Sequence, residues 1–574
     1  MTETRRSPRG PAATNAGTLL ALVALLATVA LTARQPAPPA IAQFAPQAQH
    51  QIKQAPLQQT GDIGNGQGAA TGPGASPTPS PTHLPPGVKP PPPPPVIEQA
   101  AVRPCYGNPP RQLSFDSQSP PCINYWHGDN GGSTSRGVTG TQITALVTGN
   151  FQSQDNNTVT RLVNDLATFY NRNFTLYGRQ FNFIYRNGND IASNTGNGPN
   201  CQFEFAAAKD ISDRYKPFAL TDPNANAPGC FLVGAARQRV IATSEYTWLT
   251  EKEMRQYAPY LWQYPTGIED TLTGEGQFVC KELAGRNATH TTDPLLLNKP
   301  RKFGVFYHYG FSVSDPDITP LRNEMAKCGA KIEVVASTGF RGGEGNQKSV
   351  PRIEQETQNG ILAMRQAGVT DVICLCNIIL SALVSGAADQ QNYHPEWVLS
   401  SFGGQDFDFY ESKFWTPAQR PSMMGMTFYP DQVTYPQMTL NQALASVDPG
   451  FQINGPWTLQ QPAQSLYWQT LMIASGVQMA GPHLTPESFS SALQRTRFPN
   501  PLFPEQEGRV GFEGNTHGFM KDAAVFWWSE AASGPQSDAA AGAWCYTGLG
   551  RRYDYFDLPK DLPLFSGRCV TVPG

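Results

Sequence analysis

From about Gly137 to Ser401, hydrophobic and polar positions switch repeatedly between two periods. Short apolar runs rich in branched or aromatic residues, Ile143–Thr148, Phe181–Tyr185, Val240–Thr243, Phe303–Tyr307, Ile332–Ala336 and Val372–Cys376, are too short for stable helices and predict buried strands. Between them apolar residues recur at helical spacing: Val159, Leu162, Val163, Leu166, Phe169 and Tyr170 in one stretch, Leu321, Met325 and Cys328 in a second, Ile353, Ile361 and Met364 in a third. The last two stretches stop at Gly329 and Gly368, and glycine just past the last apolar position is a helix stop. Strands alternating with helices predict an α/β fold with parallel sheets covered on both faces, whose ligands gather at the carboxyl ends of the strands. At 574 residues the chain exceeds what one hydrophobic core fills, which predicts two such lobes.

The beginning of the chain has a different character. Arg5, Arg6 and Arg9 precede an uncharged stretch, 17–33, rich in Leu, Val and Ala, which predicts an export signal or signal anchor over residues 1–33. Small-residue sites ending at Ala33 and at Ala42 leave cleavage open at either. The first cysteine is Cys105, so nothing supports a lipid-modified N-terminus. Residues 34–100 are rich in Pro, Ala, Gln and Gly and read as a disordered linker, which as polyproline II at roughly 3 Å per residue would reach on the order of 200 Å. The expected location is extracytoplasmic, at the cell surface, either anchored by the N-terminal helix or secreted after cleavage. A net charge of −3 without long single-sign runs argues against nucleic acid as a partner.

Ten cysteines in an exported chain permit disulfides. Nearness in sequence pairs Cys105 with Cys122, Cys201 with Cys230 and Cys545 with Cys569. Cys374 and Cys376 lie on one face of one strand and read either as core residues or as partners of Cys280 or Cys328. No Cys and His grouping has zinc spacing, so neither a metal nor a cofactor is expected.

Five segments, in order, resemble the type 1 periplasmic binding proteins of the branched-chain amino acid binding branch. They are 137–149; 303–310 with 329–335; 361–374 with Trp397–Ser401; 465–474 with Thr485 and Pro486 at a helix start; and 508–514. The resemblance covers the chain from Gly137 to its end. It implies two lobes joined by three crossing strands, a solute held between them and an ABC permease that reads the closed form. It divides the chain into a disulfide-containing lead-in at 101–135, lobe I at 136–258 and 433–520, and lobe II at 259–432 and 521–574. It also places Cys201 and Cys230 where the branch carries a disulfide.

Carried onto this chain, the resemblance puts ligand contacts in loops after strands: Gly149, Asn150 and Phe151, then Thr221 with Asn224, then Ser244, Glu245 and Tyr246. In lobe II the matching places are near Glu269 and Asp270, Tyr309, Asn377 and Gln405 with Asp406. Hydroxyls and loop N–H groups suit a carboxylate, and an acidic side chain suits an amine. The expected solute is small, polar and amino acid-like, although Tyr307-His308-Tyr309 and Phe402–Asp406 depart from the family's acidic pattern. Catalysis is not expected: Gly310–Ser314 lacks the closing Gly of a nucleophile elbow, and Arg341–Gly345 lacks the Lys-Ser/Thr ending of a phosphate loop. The rival reading is a membrane-tethered sensor or surface binding module uncoupled from transport.

Overall fold

The computed structural model describes residues 104–571 apart from 150–155, 188–200, 222–228, 246–248, 310–316, 340–345, 431, 452, 454–456, 500–508, 513, 515, 536–540 and 567. The N-terminal apolar segment and the Pro-rich linker lie outside the described residues. All described residues belong to one unit, Pro94–Gly574.

The first lobe contains strands β1 (Gln142–Gly149), β2 (Gln180–Asn187), β3 (Ala219–Thr221), β4 (Ile241–Ser244) and β5 (Leu261–Gln263), with helices α1 (Asn156–Asn173), α2 (Gln202–Tyr215), α3 (Gly229–Arg237) and α4 (Glu251–Gln256) between them. All its strand pairs are parallel, in the order β2-β1-β3-β4-β5. The chain then crosses over to α5 (Ile268–Phe278), β6 (Phe303–Tyr309), α6 (Thr319–Ala326), β7 (Ile332–Gly339), α7 (Asn346–Ala367), β8 (Asp371–Leu375), α8 (Ile378–Gln390), β9 (Glu396–Ser400), α9 (Asp408–Phe414) and β10 (Met423–Thr427). It returns for α10 (Thr439–Ala445), α11 (Trp457–Ala480) and α12 (Pro486–Arg495), then crosses again into β11 (Asp522–Ser529), β12 (Ala543–Tyr546) and β13 (Arg552–Asp554). The second sheet is parallel from β7 to β10, after which β11 adds antiparallel, with β12 and β13 both pairing antiparallel to it.

Period-two alternation explains why each sheet is covered on both faces. On β1, Ile143, Ala145 and Val147 enter one core while Leu146 enters another; on β6, Val305 and Phe306 face opposite cores, as do Ile373 and Cys374 on β8. In α1 the apolar stripe from Val159 to Tyr170 is buried throughout. Gly329 and Gly368 stand past α6 and α7 with φ of 76° and 67°, so the left-handed turn ends each helix. Thr485 caps α12, accepting from the N–H of Ser488 at 3.1 Å, with Pro486 opening the helix. The middle of α11 is buried in the first core, and Gly476 admits the Phe489 ring of α12 so closely that a Cβ would lie 2.1 Å from it.

Disulfides join Cys105 to Cys122, Cys201 to Cys230, Cys280 to Cys328 and Cys545 to Cys569. Cys374 and Cys376 are core residues, and the alternative that they pair with Cys280 or Cys328 is corrected: they pair with each other. β8 ends at Leu375 and the chain turns into α8, which brings their Cα atoms to 5.1 Å, within bridging reach.

The lead-in packs against the first core, in which Leu113 is buried. Arg179 donates to the carbonyls of Asn130 at 2.6 Å and Thr139 at 2.7 Å, and the Tyr264 hydroxyl donates to Gln118 at 2.8 Å. Among the described residues no helix is long and apolar enough to cross a membrane.

Candidate functional site: the cleft at the crossing strands

β5 runs directly into the first crossing, 264–267, and lies parallel to its sheet, so the carboxyl ends of the first-lobe strands face the crossings. β10 does the same for the second lobe, running into the second crossing at 428–434. The third crossing lies against the first: Phe519 N–H donates to Gln263 at 3.0 Å and Met520 N–H to Tyr264 at 3.0 Å. Arg552 binds the second to the third, donating to Tyr429 O at 2.7 Å and to Asp522 at 2.9 Å.

A shallow recess open to solvent lies here. Leu249 contributes from the first lobe and Gln263, Pro265 and Thr266 from β5 and the first crossing; Ile268 and Thr271 come from α5, Ser401 and Phe402 from the end of β9, and Phe428 from the second crossing. Its walls are apolar with a few neutral polar groups, the usual make-up of a small-molecule pocket. Behind it stands an aromatic layer: Tyr264 stacks on Trp468 at 4.3 Å and Tyr429 on Trp468 at 5.5 Å.

Two buried carboxyls flank this layer. Glu245, immediately after β4, accepts from Tyr429 Oη at 3.3 Å and from Gln461, and is also bonded by Ser465. Burial pushes it up to about 7, and the charge of Asp406 adds to the rise. Asp406 accepts from Ser401 at 2.5 Å and Thr427 at 2.6 Å and is pushed up to about 6, again by burial. Ser401 is therefore the link between the recess wall and Asp406, and its hydroxyl oxygen also accepts from Phe428 N–H at 2.7 Å.

The residues expected to hold a ligand divide by what their side chains do. Glu245 and Gln405 are buried after β4 and β9, outside the recess wall, with Gln405 donating to Ser381 at 3.1 Å. Ser244 ends β4, and its carbonyl takes the Tyr264 N–H at 2.8 Å. Asp270 accepts from Tyr555 at 3.2 Å and lies 3.5 Å from Thr266 Oγ1, with burial raising its pKa. Thr221 is engaged with β1: its hydroxyl donates to Thr148 O at 3.0 Å and accepts Thr148 N–H at 2.9 Å. Asn377 caps α8, accepting Leu380 N–H at 2.9 Å, and bonds His308, whose burial lowers its pKa to about 3. Gly149 and Tyr309 close β1 and β6. Asn150, Phe151, Asn224 and Tyr246 lie outside the described residues.

Sequence reasoning overlooked Tyr264, Phe402, Phe428, Tyr429 and Trp468. A signal existed for two of them, since Tyr264-Pro265 and Tyr429-Pro430 each end an apolar run where proline stops the ladder.

Two α/β lobes with largely parallel sheets are joined by three adjacent crossings. No family model and no curated protein matches the chain. Among solved structures the chain is similar to an ABC-transporter solute-binding protein from R. palustris in complex with 4-hydroxybenzoate, at 10% identity and TM-score 0.45, covering 68% of this chain and 93% of that one. A leucine-binding protein from Thermotoga maritima is similar at 12% identity and TM-score 0.42, covering 67% of this chain and 95% of that one. A fatty acid ABC-transporter substrate-binding protein from Thermomonospora curvata is similar at 12% identity and TM-score 0.45, covering 74% and 95%.

Proposed function

We propose that this chain is an extracytoplasmic solute-binding protein that captures a small solute between its lobes and delivers it to an ABC importer. The observation that carries the reading is the recess, whose wall draws on the first lobe, the second lobe and two of the crossings. A solute held there touches groups on both sides of the hinge, so it favours the closed arrangement by the difference in its affinity for closed and open forms. We divide the lobes at 136–258 with 433–520 and 259–432 with 521–574, and assign residues 1–33 to export or anchoring. Disulfides through both lobes support an oxidising compartment.

The test is a solute screen on the purified full-length protein that reads melting temperature and small-angle scattering together. A cognate solute at a hundred times its dissociation constant adds about 2.7 kcal/mol and contracts the radius of gyration. Thr271→Trp, which fills the recess, should abolish both responses. Stabilisation that survives this substitution, or stabilisation without contraction, overturns the assignment. Permease and ATPase genes beside this one would support import over sensing.

A further inference from the structure

Resting on the two-lobe hinge of that reading, we propose that the disulfide-closed loop 105–122 is a brace on the hinge, with Gln118 the positioning residue that fixes the first crossing against the third and so restricts how far the solute-free lobes swing. The loop lies upstream of Gly137, where the family resemblance begins, and the Cys105–Cys122 disulfide closes its base over a sequence separation of 17. Two contacts seat that base on the first lobe: Gln478 of α11 donates to Pro121 O at 3.0 Å, and the Thr175 hydroxyl donates to Ile123 O at 2.9 Å. Farther along, Leu113 is buried in the first core, and Phe115 packs on Phe169 of α1 with ring centroids 6.0 Å apart. The tip, 116–119, is carried inward and buried throughout. A polar tip at that depth has to be bonded, and its bonds show what it holds.

Asp116 accepts from Tyr467 Oη of α11 at 2.5 Å and from the N–H of Gln118 at 2.8 Å, which sets the turn of the tip on the first lobe. From there the Gln118 amide reaches two crossings at once. Its Oε1 accepts from Tyr264 Oη on the first crossing at 2.8 Å, and its Nε2 donates to Met520 Sδ on the third at 3.6 Å. Those two residues are already joined by Met520 N–H to Tyr264 O at 3.0 Å, so Gln118 closes a ring of contacts through both crossings. Tyr264 also stacks on Trp468, which stacks on Tyr429 of the second crossing. A shift of one crossing against the other breaks a Gln118 bond and strands a buried polar group, so the brace opposes the movement of the hinge.

Hydrogen exchange read by mass spectrometry on the solute-free full-length protein, with small-angle scattering beside it, supplies the test. In Gln118→Ala, amides of 260–267 and 517–523 should exchange at least about tenfold faster than in the wild type, the change expected when a buried donor loses its acceptor. The pair-distance distribution from scattering should broaden, while amides of α1 keep their wild-type rates. Tyr264→Phe deletes the same bond without opening a cavity and should give the same pattern, which keeps the inference testable if Gln118→Ala fails to fold. Leu162→Ala, a cut into the first core at α1, calibrates a general weakening of that lobe. Crossings that exchange at wild-type rates in the Gln118 and Tyr264 variants, superimposable scattering curves, or the same crossing and scattering changes in Leu162→Ala overturn the inference. The cleft reading fails separately, if no compound in the solute screen contracts the protein.

Discussion

Replacing Glu245 by Gln should flatten the pH dependence of folding stability. The carboxyl lies buried between Tyr429, Gln461 and Ser465, and burial raises its pKa from 4.5 to about 7. A carboxyl with a folded value above its unfolded value binds its proton more tightly in the native state. Its contribution is therefore fully present below about pH 4.5 and is lost as the pH rises through 7. The rise corresponds to about 3 kcal/mol in the limit, most of which falls between pH 5 and pH 8. Gln keeps the shape, its carbonyl can accept from Tyr429 and Gln461, and the Ser465 hydroxyl can rotate to accept from the new amide. Urea unfolding of the wild type and E245Q at pH 5, 6, 7 and 8 reads the effect. The wild type should lose about 2 to 3 kcal/mol more than the variant across this range, leaving E245Q relatively more stable at pH 8. Parallel profiles would refute the reasoning, because they would mean that Glu245 is solvated or already paired in the native state. Glu275 and Asp408, raised by burial to about 8 and about 7, carry the same sign, so the whole protein should weaken toward alkaline pH.

Other substitutions probe the frame around the site. Arg301 pairs with Asp371 and Glu396 in the second lobe, all three side chains being almost fully buried, so Arg301→Met should cost about 3–5 kcal/mol in denaturant unfolding by leaving two carboxylates without a cation. Gly476→Ala drives a methyl into the Phe489 ring and should cost about 1–3 kcal/mol, read as a lower melting temperature. Asn377→Ala removes the α8 cap and should cost about 1 kcal/mol, measurable by the same melting experiment. Cys201→Ser with Cys230→Ser opens a loop with a sequence separation of 29 residues and should lower unfolding stability by about 3–4 kcal/mol.

The strands that could be read from the chain are those in which branched and aromatic residues make their own case, such as Phe303–Tyr307. β3 and β5 are three residues each, too short to show a period, and exist because longer neighbours present a ladder to them. β10, Met-Met-Gly-Met-Thr, has weak intrinsic strand preference. Its Gly425 lets the Leu399 carbonyl approach so closely that a Cβ would stand 1.7 Å from it, a contact only the assembled sheet reveals.

For the site, counting loops after strands places Glu245 and the Gln405-Asp406 pair just past the carboxyl ends of β4 and β9, because local order carries them there. The same count cannot distinguish a side chain that meets a ligand from one that closes a ladder or a helix, which is how Thr221 and Asn377 are used. The sequence alone determined the α/β class and the helix stops, since these depend on residue type and period. Tertiary structure decided which distant segments meet: Tyr264, Tyr429 and Trp468 converge because the crossings pack side by side, and long-range packing leaves no trace in local periodicity.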